Sequence, residues 1–247
     1  MNEMLRIATA MICASAAACS VEQNETAIEA DKPQQASGHE DPRSWSAAGN
    51  EPGWRLTMED AQMTLLWNYG DHEASLPRPK PTTTDTGRSY HARNGAHDLR
   101  VDISDRICRD SMTGIPYPSE VSLTIDGETF NGCGGPPGSV LQGEWIVEDI
   151  DGKGIVDDSR STLNFGDDGR LTGRASCNTY GASWHLSGEG ISIEQPYATR
   201  MACAPALDNQ EQEFLKLLEG THHFDISDDG ALLLHSGDGG TITARRE

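Results

Sequence analysis

Positive charge is scarce in this chain. Its 247 residues hold 19 Lys and Arg against 39 Asp and Glu, a formal net charge of −20 at pH 7. Such a balance repels a polyanion and no basic patch offsets it, so nucleic acid is excluded as a partner. Aromatic residues make up only 6% and hydrophobic residues 36%, which is little for a single large core. The 26 glycines and 12 prolines point instead to small, turn-rich β domains. Beyond the first 18 residues no apolar run approaches the length of a membrane span.

Chemistry-bearing motifs are missing as well. The sequence holds no G-x-S-x-G, S-x-x-K or H-E-x-x-H, and no P-loop. It holds no C-x-x-C, so neither a redox pair nor a zinc cluster is expected, and no cofactor is implied. His222 and His223 are adjacent, and on a strand they would point to opposite faces. "DIDGKG" at 149–154 opens like a Ca²⁺ loop, with Asp149 and Asp151. Lys153 then stands at a ligand position and Arg160 where the closing Glu belongs, so the match fails. The pairs Asp167–Asp168 and Asp228–Asp229 fall in Asp-Gly turns, where water is expected to keep their pKa values ordinary. No catalytic residue and no metal ligand is assigned.

The N-terminus "MNEMLRIATAMICASAAACSVEQ" reads as an export signal. Arg6 precedes an apolar run, Ile7 to Ala18, too short to span a bilayer. "AAAC" resembles the lipobox of bacterial lipoproteins, which implies cleavage after residue 18 and a lipid on Cys19. The position three residues before the cysteine is Ala16, where that family usually has Leu. Ordinary cleavage, giving a soluble periplasmic protein, is the alternative. Ser20 follows the cysteine, and by resemblance to enterobacterial lipoproteins this implies the periplasmic face of the outer membrane. Residues 19–44 are polar and almost without large apolar side chains, so they are read as a flexible tether.

Six cysteines occur. Cys13 leaves with the signal and Cys19 takes the lipid. Cys108, Cys133, Cys177 and Cys203 remain, in an oxidising compartment where disulfides are expected. Four cysteines allow three connectivities. If the two halves are separate domains, local pairing follows, Cys108 with Cys133 and Cys177 with Cys203. Each loop of about 25 residues would then contribute roughly 3–4 kcal/mol.

Period-two patterning fills both halves. In residues 45–137, "WRLTM", "MTLLWNY", "LRVDI" and "VSLTI" each carry one apolar face, and "IDGE" suits a hairpin turn. "SLPRPKPTTTDTG", 75–87, is expected to be a loop. In residues 138–247, "STLNFGDDGRLTGRASC", "SWHLSGEGISI" and "HFDISDDGALLLHS" each read as strand, turn, strand. One segment differs. "DNQEQEFLKLLEG", 208–220, places Phe214, Leu217 and Leu218 on one helical face, with Asp208 and Glu211 suited to a capping box and Gly220 to the helix end. The expected fold is mostly β with one α-helix, in two small antiparallel domains.

The C-terminal half also carries an ordered set of three motifs: "GRASCNTYGASW", then "ATRMACAP", then "EQEFLKLL". These resemble the META domain family, the family of HslJ, over about Gly143 to Arg246. Gly173, Cys177, Asn178 and Tyr180 match the first motif, and Thr199, Met201, Ala202 and Cys203 the second. Glu211, Phe214, Leu215 and Leu218 match the helix. Ser176 stands where the family usually has Gly, which implies local backbone strain. The resemblance implies a curved sheet or cracked barrel backed by one helix, similar to pilotins, with Cys177 bridged to Cys203. It carries links to envelope stress and secretion and no enzymatic activity. In the first half, "GNEPGW", "CRDSMTGIPYP" and "FNGCGG" more weakly resemble an uncharacterised lipoprotein domain that accompanies META domains.

The leading expectation is therefore a non-enzymatic, lipid-anchored envelope protein linked to stress response or resistance. Its partner would be an envelope protein or an apolar small molecule, held in a groove beneath the helix lined by Trp145, Phe165, Trp184 and Leu218. Asn178, Tyr180 and Trp184 are the residues that would face it. For Asn178 the alternative is a side chain satisfying backbone groups, and for the two aromatics a place in the core. The alternatives for the whole chain are an envelope hydrolase with an unrecognised carboxylate site and a purely structural lipoprotein.

Overall fold

The computed structural model describes residues 44–246. The expected signal peptide, the expected lipid acceptor Cys19 and the expected tether up to residue 43 lie outside the described residues. The first half contributes β1 (Trp45–Asn50), β2 (Gly53–Met58), β3 (Gln62–Trp67), β4 (His72–Pro77), β5 (Thr82–Thr84), β6 (Gly87–Arg93), β7 (Asp98–Ser104), β8 (Cys108–Arg109), β9 (Pro116–Tyr117), β10 (Ser119–Ile125) and β11 (Glu128–Gly134). The second contributes β12 (Gly143–Ile150), β13 (Arg160–Phe165), β14 (Arg170–Ser176), β15 (Asn178–Ser187), β16 (Gly190–Ala198), helix α1 (Pro205–Glu219), β17 (Thr221–Ile226), β18 (Leu232–Ser236) and β19 (Thr241–Arg245).

Nine strands form one antiparallel sheet in the order β4-β3-β2-β1-β11-β10-β7-β6-β5. Alternation puts Leu56, Met63, Leu65, Leu99, Val101 and Leu123 on one face, each buried, and the sheet curls around them as a half-barrel. Asp126 and Gly127 both take positive φ in the β10–β11 hairpin, as a two-residue turn of that hand requires. The outer strands are β4 and β5. β5 has three residues, all exposed, and it follows Pro79 and Pro81.

Eight strands form the second sheet, β16-β15-β14-β13-β12-β19-β18-β17, a nearly closed barrel. Its end strands come together at Gly190, where a Cβ would lie 2.2 Å from the carbonyl oxygen of His222, so only glycine admits the seam. Helix α1 turns Phe214, Leu217 and Leu218 inward to meet Trp145, Phe165 and Phe224. All three helix residues are buried.

Three local expectations need correction. Segment 75–87 is not all loop. β4 runs on to Pro77 and Thr82–Thr84 pair with β6, because proline is tolerated at a strand end and β-branched Thr favours an edge. Tyr69 does not continue β3. Asn68 and Tyr69 take positive φ, and the exposed Tyr69 ring packs over Gly53. The helix starts at Pro205 with no side-chain cap, since proline presets the first turn. Asp208 then lies inside that turn and Glu211 is used elsewhere. Gly220 does end the helix, with ordinary negative φ. It is needed for space, because a Cβ there would lie 2.3 Å from Ser236 Oγ.

The segment between β7 and β10 forms a tongue, with β8 pairing to β9. The Cys108–Cys133 disulfide ties its root to β11. Its turn is built on Asp110, whose Oδ1 accepts the backbone N–H groups of Met112 (3.1 Å) and Thr113 (2.8 Å) and the Thr113 hydroxyl (2.8 Å). Asn50 Nδ2 donates to Asp110 Oδ2 at 2.8 Å and to Ser111 Oγ at 2.9 Å. The three first-half motifs therefore converge on this tongue. Its apolar residues belong to the other half. Ile115 is 5% exposed and sits in the barrel's core cluster, with Ile107 and Tyr117 packed against it. Arg109 Nε donates to Asp225 Oδ1 (2.9 Å), and Arg109 Nη2 to the Ile226 carbonyl (2.6 Å), at the end of β17.

A sequence boundary at residue 137 separates the two sheets but not the two cores. Ile115→Ala is accordingly expected to cost about 2–4 kcal/mol. Hydrogen exchange should place that loss in β17 and β18 as well as in the tongue. A loss confined to the nine-stranded sheet would contradict the packing described.

Candidate functional site

The barrel's signature stretch joins the end of β14, the start of β15, the 199–204 crossing and the first turns of α1. Gly173 lies opposite Tyr180 in the β14–β15 ladder. A Cβ on it would lie 2.1 Å from the Thr162 carbonyl oxygen and 2.9 Å from the Tyr180 ring. Glycine therefore lets Tyr180 lie flat on the strand. Ser176 follows with φ +76°, the left-handed conformation that a side chain disfavours by about 1–2 kcal/mol. The strain implied by a non-glycine residue here is present. Two hydrogen bonds oppose it, from Gln210 Nε2 (2.6 Å) and with Ser161 Oγ (3.1 Å).

Cys177 pairs with Cys203 across a Cα separation of 6.4 Å, and both expected disulfides are therefore present. Asn178, 3% exposed, is used on every side. Its backbone N–H donates to Glu211 Oε2 (2.8 Å) and its Nδ2 to Glu211 Oε1 (2.9 Å). Its Oδ1 accepts from Thr199 Oγ1 (2.9 Å) and from the Met201 backbone N–H (2.8 Å). Gln210 binds the other side of the cysteine, accepting at Oε1 from the Val156 backbone N–H (2.6 Å). Adjacent residues of α1 thus grip both neighbours of Cys177. The sequence offered Glu211 as a cap and gave no sign of Gln210's role.

Asn178, Tyr180 and Trp184 do not face an open cleft. Asn178 is spent on Glu211 and the crossing loop. Tyr180 is buried, donates to the Thr162 carbonyl (3.0 Å) and packs edge-on against Phe214. Burial pushes its hydroxyl pKa well up. Trp184 is partly buried, donates to the Gly166 carbonyl (3.2 Å), and packs edge-on against Phe165. The groove expected beneath the helix is filled, because Trp145, Phe165, Phe214 and Leu218 are each at most 2% exposed and pack on one another. The depression found beside α1 is charged and shallow. Lys216 pairs there with Asp238 (2.9 Å), and Lys153 reaches both Asp151 and Glu213.

The surface beside the signature mixes exposed apolar side chains with the exposed Thr199 and Arg200. Tyr197 is 71% and Met201 58% exposed. Ala202, Ala204, Pro205 and Ala206 are exposed with them, making a ridge around the partly buried Cys203.

Other reactive groups sit in the open. His185 contacts Ser192 Oγ (2.8 Å) and lies 3.7 Å from Glu194, across β15 and β16. His185 and Glu194 are more than half exposed, so water competes for each bond. Cys177, Cys203 and Asp208 place ligand atoms within 4.8 Å of one another, but the two sulfurs are joined to each other. Asp229 departs from the ordinary carboxylate expected of its turn. A hydrogen bond from Ser227 and the pair with Arg245 pull its pKa down to about 2.

The model of the META domain family matches residues 139–247. Residues 139–247 are a META domain. No curated protein matches the chain. Among solved structures, part of the chain is similar to a protein from Burkholderia xenovorans studied by NMR, at 21% identity and TM-score 0.38, covering 44% of this chain and 86% of that one. A crystal structure of a DUF4847 family protein from Bacteroides vulgatus is similar at 19% identity and TM-score 0.33, covering 43% of this chain and 93% of that one.

Asn178→Ala should cost about 3 kcal/mol in denaturant unfolding, because it leaves Glu211 and the Met201 N–H unpaired. Ser176→Ala keeps the strain and loses both hydroxyl bonds, for about 1–2 kcal/mol. Ser176→Gly relieves the strain and should come within about 1 kcal/mol of the parent. Arg245→Ala should raise the Asp229 pKa from about 2 toward the usual carboxylate value, as followed by carboxyl NMR titration.

Proposed function

We propose that this chain is a lipid-anchored, non-enzymatic envelope protein whose META domain binds a protein partner through the ridge around Cys203. One observation carries the reading. The buried Asn178–Glu211 network and the Cys177–Cys203 bridge hold the 199–204 crossing rigidly, while Tyr197, Met201, Ala202 and Ala204 point to solvent. Exposed apolar surface held at no further ordering cost suits association. The filled barrel interior weighs against an apolar small molecule. Two disulfides suit an extracytoplasmic compartment, and the lipobox-like "AAAC" supplies Cys19 as the anchor.

Photo-crosslinkers placed at Met201 and Tyr197 in cells should capture one discrete polypeptide, while one at Thr83 on the far sheet edge should not. Equal, diffuse labelling from all three positions would favour the purely structural alternative. Cys19→Ser should move the protein from the membrane fraction to the soluble periplasm.

A further inference from the structure

The tongue passes beside one member of a histidine pair. His223 on β17 stands opposite His235 on β18 in the ladder, with ring centroids 5.7 Å apart and planes tilted by 31°. Gly114 in the tongue lies beside His223, where a Cβ on it would be in ordinary contact with the ring, 3.8 Å from Cε1. Two residues along β17, Asp225 holds Arg109 of the same tongue, with Asp228 4.0 Å from that guanidinium. The charged and titratable groups around His223 are therefore His222 and Asp225 on its own strand and His235 on the next. Asp228 lies in the turn, and Arg109 belongs to the tongue itself.

We propose that the tongue is an acid-released latch: protonation of His223, beside His235, loosens Ile115, Gly114 and Arg109 from the META barrel. With His223 neutral, the tongue packs beside an uncharged imidazole, and its docking cation Arg109 meets Asp225 and the Ile226 carbonyl. A proton taken up by His223 places a positive charge beside the His235 ring, on the strand whose Asp225 holds Arg109. Burial, and then the charges of His235 and His222, lower the His223 pKa below its ordinary value, against the opposing pull of Asp225. Release of the tongue lifts part of the burial that lowers the His223 pKa and moves it up toward its ordinary value. The sign follows from that difference. Release takes up protons, so docking is at full strength above about pH 6.5 and weakens as pH falls below it. The latch stands apart from the partner-binding reading and needs no ligand.

Asp110 supplies a built-in control. Burial works against its ionisation, but hydrogen bonds from Thr113, Asn50 and Met112 outweigh that and hold its pKa below the ordinary value. Its loss would loosen the tongue only below about pH 4, well apart from the histidine window.

The test is hydrogen–deuterium exchange of the mature chain at about pH 7.5 and about pH 5.5, corrected for intrinsic exchange rates. Amides of residues 109–117 should lose protection by up to roughly tenfold per pH unit for each proton taken up. Amides of β10 and β3 should not change. His223→Gln and His235→Gln, singly and together, should flatten that dependence, and Arg109→Gln should loosen the tongue at both pH values. Near-ultraviolet circular dichroism would certify that each variant keeps its packed core. Should a histidine variant fail to fold, the ring protons of His223 and His235 in the unmodified chain report the same linkage through their titration midpoints. Equal protection at both pH values would overturn the proposal, as would a pH dependence surviving in the double histidine variant or a His223 midpoint at or above the ordinary value.

Discussion

Asn178 donates two hydrogen bonds to Glu211 in a buried site, and a buried polar group left unpaired there would cost as much as the bonds themselves. That requirement fixes the distance between α1 and the start of β15. It also fixes the crossing loop, because the same asparagine oxygen accepts from Thr199 and Met201. Once those atoms are placed, Cys203 is delivered to Cys177 and the strained Ser176 is delivered to Gln210. The helix then brings Phe214 and Leu218 into the barrel. Hydrophobic burial supplies most of the driving force, but the polar pair decides which arrangement of helix and barrel receives it.

The second constraint is the tongue. A disulfide and Asn50 hold it to the half-barrel, while Ile115 and Arg109 hold it to the META domain. The two sheets thus share an element that belongs to one by chain connection and to the other by packing. Interfaces of this kind between domains are usually polar and loose. Here a buried isoleucine and a bidentate arginine make the junction more specific than a linker.

Much of this was legible in the sequence. Period-two runs located most strands because each half-sheet buries one face, as Leu56, Val101 and Leu234 show. Asp-Gly pairs located turns because their backbone angles demand them. The motif order located the META domain, and export chemistry with local spacing located both disulfides. What stayed hidden were the side-chain contacts, other than the disulfides, between residues far apart in the chain. Asp208–Glu211 looked like a cap because a capping box is a local pattern, whereas Glu211's bonds run to a residue 33 positions away. The apolar groove was expected because aromatic positions can be read from sequence and packing density cannot. Ile115 looked like part of the first half for the same reason, since nothing in "CRDSMTGIPYP" says which core receives it.

The edges of the nine-stranded sheet bear on how this protein behaves when copies are crowded together. The barrel brings its end strands together at Gly190, but the half-barrel keeps β4 and β5 as unpaired borders. An open border is a template on which another chain can add a strand. β5 offers only three residues, entered through Pro79 and Pro81, and β4 ends at Pro77, which has no N–H to give. The net charge of −20 sets a further electrostatic barrier between copies. A density of copies high enough to drive many β proteins into fibres should leave this one dispersed. Its proline-marked borders limit templated growth at both edges of the nine-stranded sheet.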